Sequence, residues 1–168
     1  VFCEIDISSY HMSLDSIKRM YSDKVKAIVY PHLFGNMSDT KEIIDFCKDK
    51  NIAFIEDAAQ SLGASLNGVK AGSIGDISSL SFNANKVVAG IAGGGAILTD
   101  DKDKADIFKK LRRHGNNEIL GYNSKMLLMN AEFINFRLNR MKEWQEKRQE
   151  IAKQYEEQLK DYVLVQPT

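Results

Sequence analysis

The sequence predicts an α/β fold, with a mostly parallel sheet flanked by helices. Three observations carry that reading. Short apolar runs at Val25–Tyr30, Ile52–Ile55 and Ile77–Phe82 have the length and composition of buried strands. A stretch of helical periodicity separates the first two of them. An acidic pair, Glu56-Asp57, closes the second run, at the strand end where ligands collect in such sheets.

Taken in order, Val1–Asp6 reads as a short apolar strand. Ser13–Met20 has helical spacing, with Ser13 as N-cap ahead of Asp15. After Val25–Tyr30 comes the loop Pro31-His-Leu-Phe-Gly35, and then Asp39 or Ser38 caps an amphipathic helix to about Lys50. Ile43, Ile44 and Phe46 lie on one side of it. Ile52–Ile55 completes a β-α-β-α-β order, which demands right-handed crossovers. The stretch from Gly63 to Gly95 is rich in glycine and serine, with short strands at Ile77–Phe82 and Ala96–Thr99 and no long helix. Asp101 or Asp103 opens a helix through Arg113, ended by His114-Gly115. An irregular segment runs to Lys125. Asn135–Asp161 is then expected as one long charged helix, with Met141, Trp144, Ile151, Tyr155 and Leu159 recurring on one face. A further strand is expected just before Gln166.

Composition narrows the classes of function. With 43% apolar and 27% charged residues, the 168-residue chain is ordinary for a globular protein. Its 23 basic and 23 acidic side chains cancel, leaving no net pull toward nucleic acid or anionic lipid. Cys3 and Cys47 offer neither a metal spacing nor a disulfide framework, so a reducing, cytoplasmic compartment is expected. No apolar run approaches the roughly 20 residues of a membrane span. The chain opens on a strand already under way, without a start methionine, and is expected to be an excerpt of a longer protein.

The residues that carry chemistry begin with Lys86, in Ser81-Phe-Asn-Ala-Asn-Lys86. Most lysines are solvated, because burying an unpaired ammonium is costly. Lys86 instead follows a mostly apolar strand and precedes the uncharged run from Val87 to Ala96. An apolar site favours the neutral amine that attacks an aldehyde. Asp57 stands at a strand end, where it either caps the next turn or faces a ligand. A lysine that forms an imine and an acid that keeps a pyridine nitrogen protonated are the two parts a pyridoxal phosphate (PLP) site needs most. Gln60 either reaches the same ring or is a turn residue; Ser81 is either a strand hydroxyl or a phosphate donor. The glycines Gly90 and Gly93-Gly-Gly95 fit neither a Walker loop nor a GxGxxG, since a strand follows them. They read as a tight turn packed close to a ligand. His11, His32 and His114 are scattered and read as structural, and Asp100, Asp101 and Asp103 as a solvated helix start.

Six segments, in order, carry a resemblance: Val29-Tyr-Pro-His-Leu-Phe-Gly35, Ile55-Glu-Asp-Ala-Ala-Gln-Ser61, Gly72-Ser-Ile-Gly-Asp76, Ser81-Phe-Asn-Ala-Asn-Lys86, Gly94-Gly-Ala96 with Thr99, and Leu111-Arg-Arg-His-Gly115. Together they resemble the DegT/StrS-type nucleotide-sugar aminotransferases, PLP enzymes of the aspartate aminotransferase fold. Gly121-Tyr-Asn123-Ser-Lys125 looks like that family's Gly-x-Asn-x-Arg segment. The resemblance implies that Lys86 is the imine-forming lysine and proton shuttle. It pairs Asp57 with the pyridine nitrogen, sets Gln60 near the ring hydroxyl, and gives the phosphate to Ser81. It also implies that Asn123 reaches the phosphate of a neighbouring subunit's cofactor in a homodimer. Residues 1–134 would be the central part of the PLP-binding domain. Residues 135–168 would form a connecting helix and the start of a small C-terminal domain. The implied reaction moves an amino group, usually from glutamate, onto a keto carbon of a nucleotide-linked sugar, in lipopolysaccharide, glycan or antibiotic sugar pathways.

The chain also departs from the family pattern. Ala84-Asn85 precedes the lysine where Pro-Gly or Pro-Thr is common, Gly93 stands in place of an acid, and Lys125 replaces an arginine. The chain after it, Leu127-Leu-Met-Asn130, lacks the usual Gln-Ala-Ala. The Asn-Ala-Asn-Lys form leans toward members that act on UDP-linked 4-keto sugars. The family's N-terminal phosphate donors and ring-stacking aromatic have no counterpart in these residues. Three other readings stand beside the aminotransferase: a non-catalytic fragment or pseudoenzyme, the family's PLP-dependent dehydratase branch, and a plain Rossmann module. In the dehydratase branch histidine replaces the lysine, so Lys86 speaks against it.

Overall fold

In the computed structural model, which describes residues 1–162, a four-stranded sheet carries the fold. Its strands are β1 (Ala27–Pro31), β2 (Ala53–Asp57), β3 (Ile77–Ser81) and β4 (Gly95–Leu98), side by side in that order. The first three are parallel, with Pro31 beside Asp57 and Asp57 beside Ser79; β4 is antiparallel to β3. The sheet is thus mostly parallel, as the strand and helix order predicts.

Helix α1 (Leu14–Met20) starts at Ser13, whose hydroxyl accepts from the Ser16 N–H at 3.2 Å. Helix α2 (Lys41–Asp49) buries Ile43 and Cys47 against Ile17, Ile28, Tyr30 and Phe54, the main apolar cluster. Thr40 stands at its N-cap without a side-chain bond; Asp39 receives the Lys41 N–H at 2.9 Å instead, and Ser38 pairs with the Tyr30 hydroxyl at 2.6 Å. Helix α3 (Lys102–Leu111) begins at Asp101, which accepts from the N–H groups of Asp103 and Lys104. It closes at Arg112, a little short of the Arg113 expected.

Two expectations need correction, and one element is new. Val1–Asp6 is not a strand: only Ile5 makes an isolated bridge, to Met12, and Phe2 is exposed. Apolar content alone does not make a strand where no neighbouring backbone is offered. The long helix expected over Asn135–Asp161 is two helices, α4 (Leu128–Leu138) and α5 (Met141–Leu159). The turn at Asn139–Arg140 lets Met141 join the apolar cluster of Phe82, Val88 and Ile134. It also lays the Arg137 guanidinium 4.7 Å above the Trp144 ring. A small hairpin, Ser65–Leu66 with Val69–Lys70, was not expected at all. The strand expected before Gln166 lies outside the described residues.

Candidate active site

Parallel strands β1, β2 and β3 deliver their carboxyl ends to one edge of the sheet, and Asp57, Gln60, Ser81 and Lys86 follow on those ends. Asp57 is the last residue of β2. Its Oδ1 accepts from the Ala59 N–H at 3.1 Å and from the Ser79 hydroxyl at 3.2 Å, while Oδ2 has no hydrogen bond among the described residues. The carboxylate is therefore held from one side and open on the other. Ser81 ends the neighbouring strand, two residues beyond Ser79, and its hydroxyl accepts the Asn83 N–H at 3.3 Å. Gln60 lies in the turn after β2 and takes the Phe34 N–H on its Oε1 at 3.0 Å, which leaves its amide nitrogen free to donate.

Lys86 sits on the connection between β3 and β4. Phe82 gives its N–H to the Gly94 carbonyl at 2.9 Å and takes the Gly90 N–H on its own carbonyl at 2.8 Å. Residues 83–89 are thereby closed into a loop at the strand end, tightened by the bond from the Lys86 N–H to the Asn83 carbonyl at 3.0 Å. The lysine is half-buried, and its ammonium has no hydrogen bond or ion pair among the described residues. Most other lysine contacts in the chain are surface pairs such as Lys41 with Asp45 and Lys102 with Asp106. Asn123 comes from the segment between α3 and α4. It is exposed and forms an isolated bridge with Arg113.

The residue that sequence reasoning passed over is Glu56. Its side chain is fully buried, and its two oxygens collect five donors. Oε1 accepts from His32 Nε2 at 3.0 Å and the Gly72 N–H at 2.6 Å. Oε2 accepts from the N–H groups of Ile74 and Gly75 and from the Ser78 hydroxyl at 2.8 Å. Burial pushes the carboxyl up. The hydrogen bonds from His32, Gly72, Ile74 and Ser78 outweigh it and hold the group down at about 2. Glu56 thus ties the loop after β1, the 72–75 turn and β3 to the residue just before Asp57. Strand alternation was the available signal: Phe54, Glu56 and Ala58 share the buried face, and Asp57 the other. In the same hub His32 is buried against Glu56. His11 is buried too, its Nε2 3.0 Å from the Asn36 carbonyl oxygen.

The family model of the DegT/DnrJ/EryC1/StrS aminotransferases matches residues 1–168. The chain belongs to that family. It is 33% identical over 173 residues to a dTDP-3-amino-3,6-dideoxy-alpha-D-galactopyranose transaminase of Aneurinibacillus thermoaerophilus, covering 100% of this chain and 48% of that protein. Among solved structures, an aminotransferase of the family from Brucella abortus superposes with a TM-score of 0.90 at 30% identity, over 100% of this chain and 48% of that one. An E coli GDP-4-keto-6-deoxy-D-mannose-3-dehydratase, solved with hydrated PLP, gives 0.87 at 26% identity, over 96% and 47%. The chain spans about half the length of the relatives it matches.

Aminotransferases of this family depend on PLP, and the donor set fits that group. Asp57 offers a free carboxylate oxygen at a strand end, and Lys86 an unpaired amine one loop away. No group of three or more metal-ligating side chains occurs among the described residues. No helix among them is long and apolar enough to cross a membrane.

Proposed function

We propose that this chain forms the cofactor-binding part of a PLP-dependent aminotransferase that acts on a keto carbon of a nucleotide-linked sugar. One observation carries the reading: Asp57 and Lys86 stand at the same carboxyl edge, each with its reactive group unspent. Bound there, PLP would supply an electron sink for the carbon whose proton is moved. Asp57 would hold the pyridine nitrogen protonated through Oδ2, its other oxygen fixed by Ala59 and Ser79. Lys86 would hold the cofactor covalently and carry the proton between neighbouring carbons. Ser81 would donate to the phosphate, and the free amide of Gln60 would reach the ring hydroxyl. Asn123 would serve the cofactor of a second copy in a homodimer.

Glutamate as amino donor, a role in polysaccharide or lipopolysaccharide synthesis and a cytoplasmic location belong to the same proposal. So does the division into a cofactor domain over 1–134 and a connector over 135–168. Relatives named as transaminases of dTDP-linked sugars and as GDP-perosamine synthases support the substrate class. A panel of UDP-, GDP- and dTDP-keto sugars with glutamate tests it by following amino-sugar formation. Lys86→Ala and Lys86→Arg are both expected to abolish transfer, because the arginine keeps the charge but cannot attack an aldehyde. Transfer by either variant, or by no member of the panel, would count against the proposal.

A further inference from the structure

Helix α4 presents three side chains to the β3–β4 connection that carries Lys86. Positions 130, 134 and 137 are spaced i, i+4 and i+7, and so share a face. Asn130 is only 5% exposed; its Nδ2 donates to the Gly93 carbonyl at 2.7 Å and its Oδ1 accepts the Ala92 N–H at 3.3 Å. Ile134 packs with Phe82 and Val88. Arg137 donates to the carbonyl of Val87, the residue after the lysine, at 3.4 Å. The polar match at 130 is specific, since an amide has one acceptor end and one donor end and the turn offers one N–H and one carbonyl.

The turn is shaped around that amide. A Cβ on Gly90 would lie 2.6 Å from Asn130 Oδ1, and Gly93 and Gly94 take φ of +70° and +130°. Gly90 is also the residue whose N–H closes the lysine loop onto Phe82.

We infer that Asn130 is a positioning residue for Lys86: its amide pins the 90–93 turn and so fixes the closed loop that presents the lysine at the strand edge. The inference rests on the cofactor reading of Lys86. Misplacing a reacting group by about 1 Å costs on the order of 100-fold in rate. A variant that frees this turn should therefore slow the reaction of the lysine with PLP well before it unfolds the protein.

The test is Asn130→Asp, which keeps the size but turns an acceptor toward the Gly93 carbonyl, alongside Ile43→Val in the other apolar cluster as a stability control. Two readouts are taken well below the unfolding temperature. One is amide hydrogen exchange of the 83–95 segment without cofactor; the other is the rate at which PLP becomes trapped on Lys86 by borohydride. Asn130→Asp is expected to raise exchange in 83–95 while the β1–β2 segments keep the parent rate, and to slow trapping about tenfold or more. Ile43→Val should change neither in that segment. Unchanged exchange, unchanged trapping, or equal effects from the control would each overturn the inference. If the parent protein itself takes no PLP on Lys86, the cofactor reading fails, and this inference with it.

Discussion

Around β1 and β2 the chain buries Ile28, Tyr30, Ile43, Cys47 and Phe54 in one cluster, whereas around β4 and α3 it leaves Ile97 52% and Ile107 50% exposed. Helix α2 has two buried residues; α3 and α5 have none. The candidate site lies where these regions meet. Asp57 comes from the well-packed side, braced from behind by Glu56. The Lys86 loop is shared with the less packed side and is held by polar hooks from α4. One partner is placed by burial, and the other by a few hydrogen bonds.

The largest test of that contrast is Glu56→Ala. It strands the donors of His32, Gly72, Ile74, Gly75 and Ser78 inside the protein, and a loss of about 4 kcal/mol or more is expected in urea unfolding. A second test compares Phe54→Ala, expected to cost about 3–5 kcal/mol through a cavity, with Ile97→Ala, expected to stay within about 0.5 kcal/mol. Similar losses at the two positions would erase the distinction between the regions.

The pH dependence sharpens it further. Glu56 is held at about 2 in the folded protein against an ordinary 4.5. A depressed carboxyl contributes stability that is complete above about pH 4.5 and is lost as pH falls toward 2. Stability is therefore expected to drop by about 3 kcal/mol through that window. Glu56→Gln should start lower at neutral pH and show a flatter acid limb; an unchanged limb would remove Glu56 as its cause. The smallest effect belongs to the exposed hairpin. Gly68 takes φ +81° with open space around it, so Gly68→Ala meets backbone strain alone, about 1 kcal/mol.

Much of this was legible from residues alone, and the failures have physical causes. The strands at Ala27–Pro31, Ala53–Asp57 and Ile77–Ser81 followed from short apolar runs, and the caps Ser13 and Asp101 from helix chemistry. Val1–Asp6 failed because a strand is a property of two backbones. The hairpin at 65–70 was missed although Asn67-Gly68, both at positive φ, is a turn signal. The early start of α4 was hidden because Leu128 and Met129 are exposed, so the run lacks a clean apolar stripe. Of the acidic pair, chemistry alone points to the open Asp57, while alternation marks its neighbour Glu56 as the buried one. Asn130 stands out in the sequence only as part of a departure from the family pattern, with nothing there to suggest its role. Its role emerges only when α4 is seen lying against the 90–93 turn.

The pairing of Asp57 with Lys86 in one cofactor site is tested most directly by incubating the protein with PLP, reducing with borohydride and mapping the modified peptide by mass spectrometry. The pyridoxyl group is expected on Lys86, with loss of cofactor affinity in Asp57→Asn. Modification of another lysine in place of Lys86, or of none, would contradict the site.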